Sequence, residues 1–123
     1  MRDGILMAKL SGDISFDEAM VRLKEVMDHA AENHAQRVLV DCLEARGTLS
    51  TLERYSLGTA VFSHMQSLGI NPRTAIVGTL PEVNGFGLQV ANNRGARGAR
   101  FEDVAEALDW LITPDFGARP ADS

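Results

Sequence analysis

The sequence predicts an α/β fold in which a mostly parallel sheet alternates with helices packed on it. Three observations lead there. Short apolar runs recur at "ILMAKL", "RVLVDC" and "TAIVGT", the second rich in valine. Between them lie longer stretches whose apolar residues repeat at helical spacing. Serine or aspartate stands three residues ahead of glutamate where those stretches begin, the sign of a helix start. Strand and helix therefore alternate four times, the pattern of a sheet built from crossover connections.

The first strand is expected over Ile5 to Leu10, with Gly12 marking its end. Ser15 and Glu18 have the spacing of a reciprocal cap, and Phe16, Ala19, Met20, Leu23, Met27 and Ala30 form a stripe behind them. The second strand is Arg37 to Cys42, an apolar run short enough for a strand buried on both faces. "LEARGT" reads as a loop around Gly47. Ser50 and Glu53 then open a helix to about Leu68, stopped by Gly69 and kept from resuming by Pro72. Its apolar residues spread around more than one side, so the helix must be covered by the sheet and by something else. Thr74 to Thr79 is the third strand, and Val83, Phe86 and Val90 mark a short helix with one buried edge. A short strand near Ala99 to Phe101 precedes a last helix opened by Asp103 and Glu106 and bounded by Pro114. One domain, 1–113, is expected, followed by a flexible tail, 114–123.

Bulk properties narrow the function. The chain has 123 residues, a formal net charge of −5, 45% apolar residues and one cysteine, Cys42. The negative balance argues against nucleic acid as a partner, which would need a basic surface. The apolar runs are too short for a membrane span. The N-terminus lacks a basic region leading into an apolar stretch, so no secretory signal is expected, and a lone cysteine fits a reducing compartment. The expected location is cytoplasmic.

The loudest stretch is "NGFGLQV". Gly85 and Gly87 match the first two glycines of the dinucleotide fingerprint, but Val90 occupies the third position, and no Gly-Lys-Ser/Thr occurs anywhere. These glycines read as chain turns, and no cofactor is expected. His29 and His34 are five apart, which places them on different helix faces, so no metal site is expected either. No Gly-x-Ser-x-Gly elbow anchors a hydrolase.

Asp41 lies at the carboxyl end of the second strand and Thr79 at that of the third, while Ser50 and Thr51 begin a helix. Ligands of open sheets tend to sit outside those strand ends. The four residues form the candidate ligand or partner rim. The alternative for Asp41 and Ser50 is local work, accepting N–H bonds in a loop and at a helix start. Tyr55, Phe62 and Met65 on the second helix are a candidate wall for an apolar pocket.

"ILMAKLSGDISFDEAMVRLKEVM" and "RVLVDCLEARGTLSTLERY" resemble the SpoIIAA-like family, related in fold to the STAS domains, whose best-known members are anti-anti-sigma factors; "EALDWL" resembles the closing helix. The resemblance covers residues 4–112. It implies a mixed sheet whose first strand runs antiparallel and a regulatory, non-catalytic module recognising a protein partner or a small ligand. The family's phosphorylated Asp-Ser-Ser-Gly motif falls on Leu49, Ser50, Thr51 and Leu52, which makes Ser50 the candidate phosphoacceptor although the flanking aspartate and glycine are absent. Relatives of similar architecture in the CRAL-TRIO group bind lipids in an apolar pocket, which implies a carrier as the alternative. The surplus apolar positions on the second helix suggest a homodimer.

Overall fold

A computed structural model describes residues 4–114. Its four strands, β1 (Ile5–Asp13), β2 (Arg37–Arg46), β3 (Arg73–Val77) and β4 (Arg97–Phe101), form one sheet in the order β1-β2-β3-β4. Four helices alternate with them: α1 (Phe16–Glu32), α2 (Thr51–Leu68), α3 (Phe86–Asn93) and α4 (Val104–Ile112). All three strand pairs are parallel. The antiparallel first strand implied by the family resemblance is therefore corrected. The chain leaves β1 through the 17-residue α1, a crossover that returns it to start β2 in the same direction. The expected tail from residue 115 onward lies outside the described residues.

Strand order that advances one place at a time, with the usual right-handed connections, puts successive crossover helices on one face. Core composition agrees. Val38 and Val40 pack in a cluster with Val26, Met27 and Ala30 of α1 and Phe62 and Met65 of α2. Leu39, between those two valines, joins Ala75, Val77, Ala107 and Leu111 in a second cluster, under α4. Val38, Leu39 and Val40 are each wholly buried, as a strand covered on both faces requires.

The helix starts expected from sequence are present. Ser15 accepts a hydrogen bond from the Glu18 N–H at 3.1 Å, and Asp103 accepts one from Glu106 at 3.3 Å. Ser50 and Glu53 form the full reciprocal box. Gly69 ends α2 in the left-handed region, φ 72°. The carbonyls ending α4 are taken by arginines from the sheet: Arg37 Nε donates to Leu111 at 2.7 Å and Arg73 Nη2 to Trp110 at 2.7 Å. Cations at a helix C-terminus also meet its negative dipole end.

Two strands run further than the apolar patterns indicate. β1 continues through Gly12 to Asp13, and β2 continues through "LEAR" to Arg46, the two pairing as Ser11↔Glu44 and Asp13↔Arg46. Between Lys9↔Asp41 and Ser11↔Glu44 the register shifts, with one extra residue on β2. The short segment at Ala99 is an edge strand paired to β3, and α3 begins at Phe86, leaving Val83 in the preceding turn.

Candidate functional site

The structure does not gather the four expected rim residues around one ligand. Asp41 follows Leu39 onto the α4 face of the sheet, while α2, which Ser50 starts, packs on the opposite face. A bulge leaves an unpaired backbone group, and Asp41 Oδ1 accepts the Leu43 N–H at 3.0 Å just where the extra residue sits. Ser50 Oγ accepts the Glu53 N–H at 3.1 Å, and Glu53 Oε1 accepts the Ser50 N–H at 2.9 Å. Thr51 is exposed in the first turn of α2; Thr79 is exposed beyond β3, where its carbonyl takes the Val83 N–H at 2.9 Å. The topology explains the dispersal. Ligands collect at strand ends where the strand order reverses, and an order of β1-β2-β3-β4 contains no reversal.

The glycine-rich stretch does structural work. Asn84 Oδ1 accepts the Phe86 N–H at 2.9 Å, and Gly85, φ 83°, is the N-cap of α3. A Cβ at Gly98 would strike the Leu88 side chain at 2.5 Å, so this glycine lets α3 lie on β4. The three arginines of the stretch are also engaged. Arg94 donates to the Tyr55 hydroxyl at 3.2 Å, Arg97 to the Asn71 carbonyl at 2.7 Å and Arg100 to the Gly78 carbonyl at 2.9 Å.

An apolar feature with room for a ligand lies on the sheet face covered by α1, α2 and α3. This cleft of about 190 Å³, partly open to solvent, lies between the sheet and those three helices. Leu10 and Cys42 contribute from the strands, Met27 from α1, Leu57, Phe62 and Met65 from α2, and Leu88 from α3. Of the three residues proposed from sequence as a pocket wall, Phe62 and Met65 line this space. Tyr55 does not. It is 45% exposed, with the Arg94 guanidinium 5.7 Å from its ring centre.

Two further lining residues carry chemistry. Cys42 is a thiol rather than a thiolate at neutral pH: burial, with a smaller push from the Asp41 carboxylate, raises its pKa to about 11. Arg54 lies on the cavity wall and is only 8% exposed. Its Nε donates to the Leu49 carbonyl at 3.0 Å and its Nη2 to the Pro81 carbonyl at 2.9 Å, tying α2 to the loop before it and to the loop between β3 and α3. Sequence reasoning missed this residue, yet a signal existed. Arg54 heads the series Leu57, Gly58, Val61, Phe62 and Met65, the i, i+3, i+4, i+7 stripe that faces the cavity.

Among the described residues no group of three or more His, Cys, Asp or Glu is placed to hold a metal. No described helix is long and apolar enough to cross a membrane. No family model and no curated protein matches the chain.

Proposed function

We propose that this chain is a non-catalytic binding module holding a small, largely apolar ligand in the cavity beneath α2. The observation that carries the proposal is the apolar space of about 190 Å³ walled by Leu57, Phe62, Met65 and Leu88. Protein interiors pack to crystal-like density and leave few voids larger than a water molecule. An apolar cavity of about 150 Å³ stays dry and accepts benzene. The space here suits an aromatic ring or a short chain. A whole lipid would need several hundred Å³, so the carrier reading narrows to ligands of small size. Cys42 is the nucleophilic side chain on this wall, and its protonation favours binding over covalent chemistry.

The regulatory, partner-recognising reading rests on the STAS resemblance. In that reading phosphorylation of Ser50 would have to break the box it forms with Glu53.

Thermal unfolding with toluene or indole tests the cavity reading. A ligand bound only by the folded state raises Tm in proportion to ln(1 + [L]/Kd). The expected result is a concentration-dependent rise in the natural chain, lost in an Ala45→Leu variant whose added side chain fills the space. Absence of a rise with either probe would sink the reading.

A further inference from the structure

Arg54 is out of place in an apolar wall unless something anionic joins it. Burying a guanidinium is costly when its charge is not compensated, and Arg54 is more than nine-tenths buried. Its two hydrogen-bond acceptors, the Leu49 and Pro81 carbonyls, are neutral. No carboxylate among the described residues lies within ion-pair distance of it. A guanidinium carries five N–H groups, so the two bonds to carbonyls leave the Nη1 pair and one Nη2 hydrogen over. The bonded pair fixes the plane of the fork, and a fixed fork loses little freedom when a carboxylate docks on it. Charges around the cavity favour the same sign of ligand. Arg46 and Arg54 line it against one acid, Glu82.

The geometry points to a small carboxylic acid as the ligand, its ring or short chain among Leu57, Phe62 and Met65 and its carboxylate on Arg54. This rests on the cavity reading above and adds the head group. The lining supplies a large apolar surface for the body of such a molecule, and one buried cation fixes which end points where. A bidentate guanidinium–carboxylate pair at a buried arginine is among the stronger polar contacts available.

Isothermal titration of the full chain with benzoate, hexanoate and their neutral counterparts, benzyl alcohol and hexanol, tests the assignment. Each carboxylate is expected to bind at least tenfold more tightly than its alcohol. Arg54→Lys keeps the charge but not the fork, and should weaken carboxylate binding at least tenfold while changing alcohol binding less than twofold. Because that variant also loses a brace between two loops, Arg46→Gln provides a second one that leaves the Arg54 bonds intact. It should weaken the carboxylates several-fold and leave the alcohols unchanged. Ala45→Leu should weaken all four probes. Alcohols binding as tightly as carboxylates would overturn the head-group assignment while leaving the cavity reading intact. Carboxylate binding that survives Ala45→Leu would place the anion elsewhere and overturn it too. Failure of all four probes to bind would overturn both.

Discussion

Gly58 of α2 and Gly87 of α3 meet backbone to backbone: a Cβ at Gly58 would collide with the Gly87 carbonyl oxygen and stand 3.2 Å from the Val90 Cβ. The contact sets how closely α3 approaches α2, and so closes the cavity on that side. Alanine in place of a mid-helix glycine ordinarily stabilises by about 1 kcal/mol. Here the obstacle is backbone, which cannot swing aside as a flexible side chain can. Gly58→Ala is therefore expected to destabilise the fold by about 1–3 kcal/mol, the usual cost of overpacking. A urea-unfolding midpoint that rises instead would show that the helices are free to separate.

Ser50 is the residue where the helix-cap and site readings of the sequence compete. Both halves of its box with Glu53 are formed. Ser50→Ala should therefore cost about 1 kcal/mol of stability, typical for loss of an N-cap hydroxyl. The ligand affinity of the folded protein should stay unchanged within twofold. Denaturant titration and calorimetry on the same variant separate the two effects; a large loss of affinity at constant stability would return Ser50 to the site.

The cap and stop signals were legible because they depend on residues three or four positions apart. Ser50 with Glu53, Asp103 with Glu106 and Gly69 after Leu68 all form what their spacing indicates. Strand cores were legible for a similar reason: Val38–Val40 is apolar at every position because both faces are covered. What lay hidden depends on partners distant in sequence. The extension of β2 into Leu43–Arg46 is mostly exposed and pairs with Ser11–Asp13, so it shows no apolar run. The parallel direction of β1 depends on the whole crossover. The spread of apolar residues on α2 correctly implied more than one covering surface, supplied by the sheet, α1 and α3, though Leu52 and Tyr55 stay exposed at 73% and 45%. Arg54 escaped notice because a charged residue within an apolar stripe reads as a break in it; its role appears once the Leu49 and Pro81 carbonyls are in place.

Lys9 and Glu44 form an exposed ion pair, 2.8 Å apart, across the β1–β2 bulge. The hydrogen bond and charge of each hold the Lys9 pKa above, and the Glu44 pKa below, its ordinary value. With a lowered folded-state pKa, Glu44 stabilises above the usual carboxylate range, and this is lost as pH falls through its folded value. Lys9, raised, contributes below its ordinary value and loses that contribution as pH climbs through the folded one. Both side chains are in water, so salt should screen the pair. Glu44→Gln is expected to lower the unfolding midpoint slightly at low ionic strength and not measurably at 1 M sodium chloride. A difference that persists in high salt would mean the carboxylate is doing something besides pairing with Lys9.

Cys42 gives the sharpest dependence on pH. Its pKa rises from 9.0 to about 11 on folding, chiefly because burial penalises the thiolate and secondarily because Asp41 is nearby. The folded state therefore holds the proton more tightly than the unfolded chain does. Stability from this group is complete below pH 9.0 and is lost as pH climbs towards about 11. Across that window the loss is on the order of 2–3 kcal/mol. Cys42→Ala leaves a small void and lowers stability below pH 9.0, but it should remove this alkaline decline, so the readout is the slope rather than the level. Urea midpoints for the two proteins should run parallel up to pH 9 and converge above it. A thiol-alkylating reagent offers an independent check: Cys42 should react slowly at pH 8 and much faster near pH 11. Because Cys42 lines the cavity, a bound ligand should slow the reaction further. Fast alkylation at pH 8 would place the thiol in solvent and dissolve both expectations.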